Sequence, residues 1–318
     1  MAHDNFGART RDMECAGRKH LLWAHERGAI SQSSRGTISD RWCKFCVFAL
    51  EEEKCRWLEH ITPELVFRYG RFLYFELEGA EISCAYAKNL LSAPNTVMRE
   101  ATHGVWESVS AKACGLPDRE YVRTTPPASL QRHLYERARQ ALFDSGLDRV
   151  GAGFGLGREL GLRSKEFSLI DARAALREAL AHGRVTVTRG TKGGQERTVP
   201  LSPEQCWRER QLEALACAAR VQGSNAAVIN PDTNWKSWRG GVLRRGREIV
   251  QAIGISGHHD ARAGYACEFY RERTGFDPPV CGMTAFDRQL DQEARAELAE
   301  HLGHHRIPIT NCYIGSSL

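Results

Sequence analysis

Apolar residues recur every three or four positions along most of this chain, interrupted by short polar breaks, so the pattern is predominantly helical. Arg9 to Glu26 carries Met13, Gly17, Leu21 and Ala24 near helical spacing and stops at Arg27-Gly28. Ser39 to Glu53 predicts a second helix with an aromatic face of Trp42, Phe45 and Phe48. Thr62-Pro63-Glu64 is a helix start, with threonine as N-cap and proline in the first position. The helix it opens carries Val66, Tyr69, Phe72, Leu73 and Phe75. A fourth helix is expected from Ser83 to His103, which completes a four-helix module.

Pro117, Pro126 and Pro127 make Leu116 to Ala128 a linker. The expected domains are therefore residues 1–123 and 124–318. Helical patterns resume over Leu130 to Phe143 and around Arg158 to Leu169. Val185 to Thr188 and Thr198-Val199 are β-branched and alternating, with the turn Arg189 to Gly194 between them, which predicts a β-hairpin. Further helices are expected at Pro203 to Val221, Trp238 to Ile253, His258 to Thr274 and Asp287 to His301. The run Gly151 to Gly157 invites a nucleotide-loop reading, but Leu156 stands where GxGxxG needs glycine and no strand precedes it. It reads instead as a flexible helix junction. The fold class is mainly α with one small β-hairpin.

Composition narrows this picture. A chain of 318 residues buries a substantial core and suits two domains. With 26% charged and 42% hydrophobic residues it has the make-up of a water-soluble globular protein. No apolar run approaches the roughly 18 to 20 residues that span a bilayer. Met1 to Arg11 is polar, unlike a secretory signal, so a cytoplasmic location and reduced thiols are expected for the eleven cysteines. Cys43 and Cys46 form a CxxC, yet no second ligand pair follows. They share the apolar pattern of Trp42, Phe45 and Ala49, so they are expected as helix residues rather than metal ligands. The net charge of +5 is uneven: residues 1–124 are balanced, whereas the remainder carries 27 Lys+Arg against 22 Asp+Glu. That excess favours a polyanionic partner without identifying one.

Five separated pieces carry candidate chemistry. They are Gly161 to Glu166 on a helix, Thr191 to Leu201 on the hairpin, His259-Asp260-Ala261-Arg262, Leu302-Gly303-His304, and Tyr313 nine residues later. Each alone has a plain structural reading. Arg163 with Glu166 is a common surface pair, Lys192 sits in a solvated turn, histidines are often structural, and a tyrosine near the end usually packs. Tyr265 and Tyr270 follow on the helix of His259 and are expected in the core. His258, His301, His304 and His305 have some metal-like spacing but no HExxH glutamate.

In order and spacing the five pieces resemble the tyrosine recombinases, or phage integrases. That pattern is an arginine with a carboxylate three residues on, a hairpin lysine, His-x-x-Arg, Leu-Gly-His and a nucleophilic tyrosine. The stretch Leu160 to Leu201 looks especially like self-standing integrases of bacterial mobile elements. The resemblance covers nearly the whole chain. It implies a SAM-like four-helix core-binding domain, DNA-binding, followed by a mixed α/β catalytic domain. It further implies Arg163, Lys192, His259, Arg262, His304 and Tyr313 as catalytic residues, with Glu166 in support.

The chemistry fits those residue types. Cleaving a phosphodiester concentrates charge on the non-bridging oxygens, which Arg163 and Arg262 can grip through paired N–H donors without metal or other cofactor. Tyr313 would attack phosphorus and conserve the bond energy in an ester. A phenol ionises near pH 10, so His259 is expected to assist it. Lys192 is the implied acid for the 5′ oxygen and His304 an implied donor to phosphate. Lys236, Arg239, Arg244, Arg245 and Arg247 are candidate contacts to the DNA backbone, against the alternative of a solvated helix face.

The implied partners are double-stranded DNA attachment sites, a homo-tetramer on paired sites, and accessory or directionality factors. The implied arrangement has two domains clamping the duplex. Only Ile314 to Leu318 follow Tyr313, where many relatives carry a longer segment that packs on a neighbour. Two other readings share parts of this pattern. One is a type IB topoisomerase-like enzyme acting on a single duplex. The other is a non-catalytic DNA-binding relic, although none of the pattern's residues is missing.

Overall fold

The computed structural model describes residues 4–282, 287–304 and 306–317. The chain divides into two compact units, residues 1–120 and 121–318.

The first unit is four helices: α1 (Met13–Glu26), α2 (Gln32–Glu51), α3 (Pro63–Glu78) and α4 (Cys84–Ala101). Each opens on a side-chain cap, from Asp12, Ser31, Thr62 and Ser83 respectively, that accepts a backbone N–H of the first turn. The second helix begins seven residues earlier than its aromatic face suggests, because the polar stretch 32–37 is helical behind the Ser31 cap. Trp42, Phe45, Tyr69, Leu73, Leu91 and Met98 fill the core. Gly17 lets α1 approach α2 closely, since a Cβ there would fall 2.2 Å from the Trp42 indole nitrogen. On α3, Val66, Tyr69 and Leu73 face inward, while Phe72 and Phe75 are exposed. Cys46 is buried on α2. Half-buried Cys43 lies 3.1 Å from a Glu14 carboxylate oxygen.

The second unit wraps helices around one small hairpin. It contains α5 (Arg132–Asp144), α6 (Asp148–Leu160), α7 (Ser164–Leu169), α8 (Ala172–His182), strands β1 (Arg184–Val187) and β2 (Arg197–Pro200), α9 (Gln205–Gln222), α10 (Trp235–Gly240), α11 (Val242–Ala252), α12 (His258–Thr274), α13 (Arg288–His301) and α14 (Asn311–Ile314). The strands pair antiparallel, with Val185 opposite Val199 and Val187 opposite Arg197. Helices α6 and α12 run through the core, against α9 and one another.

Four expectations need correction. The glycine run 151–157 is the interior of α6 and no junction. Phe167, Phe143 and Ala261 occupy the space where its side chains would stand, so the glycines permit close packing. Arg163 is not within a helix. Gly161 (φ +64°) ends α6 in the left-handed region, and Arg163 is the N-cap of α7. The stretch Trp238 to Ile253 is two helices parted at Gly240-Gly241, whose backbone breaks the pattern. Finally, α8 stands where no helix is expected, capped by Asp171 and closed by Gly183 (φ +64°).

Among the described residues no helix is long and apolar enough to cross a membrane, and all eleven cysteines are free thiols.

Candidate active site

The site forms where four chain turns of the second unit meet. The first is the α6–α7 break. There the Glu166 carboxylate accepts from the Arg163 backbone N–H (2.7 Å) and from its Nη1 (2.7 Å), fixing the arginine at the helix start. The second is the first turn of α12, which carries His259 and Arg262. The third is the end of α13, where Gly303 (φ +62°) turns the chain and leaves the Leu302 carbonyl free to accept from Arg163 Nη2 (3.0 Å) and from Arg262 Nη2. The fourth is α14, which carries Tyr313.

These turns bring five of the six expected side chains together. Arg262 Nε donates to the Tyr313 hydroxyl at 3.1 Å, and His304 Nε2 lies 3.3 Å from the same oxygen. His304 Nε2 is also 3.2 Å from Arg163 Nη2. The His259 and Tyr313 rings have centroids 5.2 Å apart. The Arg262 guanidinium is fully buried and also donates to the Gly161 carbonyl. Lys192 is exposed in the short turn between β1 and β2, outside the hydrogen-bonded cluster but near enough for its charge to act on His304. Gly190 (φ +78°) seats that hairpin directly on α7: a Cβ would fall 2.7 Å from the Lys165 carbonyl oxygen.

Adjacent histidines are sorted by the first turn of α12. His258 points inward and bonds the Leu243 carbonyl through Nε2 (2.9 Å), whereas His259 is exposed and faces Tyr313. Tyr265 is buried and pairs with His301 Nδ1 at 3.1 Å; Tyr270 is buried as well. His305 lies outside the described residues. Among those described, no group of three or more His, Cys, Asp or Glu side chains is placed to hold a metal ion.

Three further residues complete the surroundings. Arg197, almost fully buried, reaches Glu166 with both terminal nitrogens (2.6 and 2.7 Å) and the His301 carbonyl with Nε (2.8 Å). Asp260, also buried, accepts from Arg123 Nη2 (2.8 Å) and from the Ser129 backbone N–H (2.9 Å). Arg123 in turn donates its backbone N–H to the Asn311 carbonyl, at the start of α14 (2.9 Å). The signal for Arg197 was available in the strand: period two puts it on the face of Val199, an inward position that a guanidinium occupies only with a carboxylate partner. Asp260 and Arg123 carried no comparable pattern.

Electrostatically, three guanidiniums face one carboxylate. Burial works to raise the Glu166 pKa, but Arg197, Arg262 and the Arg163 N–H overcome it and hold the group down to about 2. Glu166 is thus a fixed anion that leaves the arginines in excess. Although His259 keeps an exposed edge, desolvation of the ring that packs on Tyr313, then Arg262, Arg123 and Arg163, lower it to about 4. Desolvation, then Arg262, Arg163 and Lys192, lower His304 to about 3. Both imidazoles are consequently neutral at pH 7, able to accept a proton. The site is a concentration of positive charge with a phenol at its centre, a geometry suited to an oxyanion beside a nucleophile.

The candidate backbone contacts lie elsewhere on this unit. Lys236 and Arg239 are exposed on α10, and Arg244, Arg245 and Arg247 are exposed on α11. Arg244 is already paired with Glu248 at 3.0 Å.

A family model described as Integrase matches residues 122–268, a segment that holds Arg163, Lys192, His259 and Arg262 and ends before His304 and Tyr313. No curated protein sequence matches the chain. Among solved structures, a lambda integrase (75–356) dimer bound to a COC′ core site is similar with TM-score 0.57 and 18% identity, over 92% of this chain and 94% of that one. XerH site-specific recombinase bound to palindromic difH substrate gives 0.54 and 15%, over 94% and 80%. The Tn1549 transposon integrase in complex with transposon right-end DNA gives 0.52 and 12%, over 95% of each chain. At these identities the likeness is one of fold.

Proposed function

We propose that this chain, whose residues 122–268 match the Integrase family model, is a tyrosine-type site-specific recombinase that cuts and rejoins DNA through Tyr313. One observation carries the reading: the Tyr313 hydroxyl is within hydrogen-bonding distance of both Arg262 and His304, with Arg163 bonded to that same histidine.

The chemistry follows from the residues. A scissile phosphate entering between Arg163 and Arg262 meets two guanidiniums, whose N–H donors stabilise the charge that builds on its non-bridging oxygens. The Tyr313 oxygen attacks phosphorus as its proton passes to neutral His259. The P–O5′ bond breaks, and Lys192, carried in by the hairpin, gives the departing oxygen a proton. His304, in the tautomer protonated at Nε2, gives up its contact with Arg163 and donates to the phosphate. The product is a 3′-phosphotyrosyl ester and a free 5′ hydroxyl, nearly isoenergetic with the starting diester. Attack by a 5′ hydroxyl from a second strand reverses the steps and completes exchange. None of these steps calls for a metal ion or ATP. Double-stranded attachment sites are the substrate, and four protomers on two synapsed sites would perform the exchange.

The test is covalent capture on a nicked suicide duplex carrying the cognate site, in excess EDTA and without ATP, read on a denaturing gel. Wild type should form the adduct. Tyr313→Phe should bind the duplex with similar affinity and form none. An adduct with the phenylalanine variant, or a strict need for magnesium, would overturn the reading. Exchange between two labelled duplexes separates recombination from relaxation of a single one.

A further inference from the structure

The segment that bears Tyr313 is poorly equipped to hold itself in place. Helix α14 is only four residues long, far below the length at which a helix is stable alone. It is nevertheless fixed at both ends by one buried side chain. Arg295 on α13 donates from Nη1 to Thr310 Oγ1 (3.2 Å) and Asn311 Oδ1 (2.9 Å) ahead of the tyrosine, and to the Gly315 carbonyl (3.1 Å) behind it. Asp291, one helical turn earlier, accepts from Arg295 Nε at 2.9 Å. The same carboxylate accepts from the Tyr270 hydroxyl (2.6 Å) and from Ser317 Oγ (2.7 Å), beyond the far end of α14.

We infer that Arg295 and Asp291 are positioning residues that set where the Tyr313 hydroxyl stands relative to Arg262, an inference that rests on Tyr313 being the nucleophile. Their roles differ from those of the phosphate-facing arginines: Arg295 touches the chain on either side of the tyrosine and none of the reacting atoms. Stability is a weak explanation for such a pair. A buried ion pair gains little over well-packed apolar groups. Moreover, Arg295 Nη2 is buried without an acceptor among the described residues, which is a cost. Direction is what the planar guanidinium supplies, since it joins residues before and after α14 in one fixed geometry. Gly315 (φ +80°) seats the segment against Val280, where a Cβ would fall 2.8 Å from the backbone nitrogen.

The experiment uses the full chain and a nicked suicide duplex at saturating concentration. It compares Arg295→Met, Arg295→Lys and Asn311→Ala with wild type and Tyr313→Phe. Capture rate, duplex affinity, thermal midpoint and the rate of Tyr313 O-acetylation by N-acetylimidazole are recorded. Displacement of a nucleophile by about 1 Å costs on the order of a hundredfold. Arg295→Met should therefore slow capture by about that factor and Asn311→Ala by about tenfold. Affinity should change little, Tyr313 should acetylate faster, and Arg295→Lys should recover part of the rate. Asn311→Ala removes no charge and decides the matter even if Arg295→Met fails to fold. The inference is overturned if Asn311→Ala captures at the wild-type rate with unchanged acetylation, or if rate and duplex affinity fall in proportion. If Tyr313→Phe itself captures DNA, the nucleophile assignment fails instead.

Discussion

Arg197 and Glu166, 31 positions apart, meet in a two-pronged buried contact with N–O distances of 2.6 and 2.7 Å. The same carboxylate holds Arg163 at 2.7 Å and lies 3.8 Å from Arg262. One anion therefore ties the hairpin to both arginines proposed to grip phosphate. It limits their mutual repulsion and fixes their spacing before DNA arrives.

Breaking that contact should be costly twice over. Removing one member of a buried pair typically destabilises by about 3–5 kcal/mol. For Arg197→Met we expect a loss of about 3 kcal/mol, at the lower end because Arg163 still partners Glu166. Suicide-substrate capture should also fall more than about tenfold, since the Glu166 side chain that orients Arg163 loses its own support. Urea unfolding and capture kinetics check both. A midpoint equal to that of wild type would remove Arg197 from the site's framework.

Acid should weaken the fold through the same cluster. Glu166 is held at about 2, below its ordinary 4.5, so its contribution is complete above pH 4.5 and is lost as pH falls toward 2. His259 and His304 are held at about 4 and about 3, below 6.5. The unfolded chain then binds protons first, and stability drops as pH falls from 6.5 toward those values. Unfolding free energies of wild type and the His259→Asn/His304→Asn double variant should therefore converge or cross between pH 6.5 and 4.5, with wild type losing more. A constant difference across that window would show that the imidazoles titrate normally.

Exposed arginines and lysines on α10 and α11 should act through charge alone. Arg239→Gln and Arg247→Gln are each expected to reduce the slope of log affinity against log salt by about 1, equally on cognate and unrelated duplexes. Arg244→Gln should do less, because that guanidinium already has Glu248 at 3.0 Å. Fluorescence anisotropy over a range of salt concentrations measures these slopes. A variant that changes discrimination between sequences but not the slope would mark a base contact instead.

Much of this molecule is written locally. Thr62-Pro63 starts α3, His258 to Thr274 forms α12 to the residue, and alternation around Val185 and Val199 makes the hairpin, because caps, turns and periodicity act within a few positions. The chain order of Arg163, Lys192, His259, Arg262, His304 and Tyr313 is likewise visible in one dimension. Local rules misread 151–157, where glycine looks like a break until Phe167 and Phe143 are found filling the space it leaves. They miss α8 as well, a short helix bounded by Asp171 and Gly183.

What the sequence by itself determined, then, was the helical character of most of the chain, the hairpin and the residue types able to handle a phosphate. The tertiary structure decided which of those groups share a charge. Glu166, Arg197, Arg262 and Arg295 come from distant stretches and acquire their settings only through packing. Desolvation and ion pairing depend on distances in space that no spacing along the chain encodes.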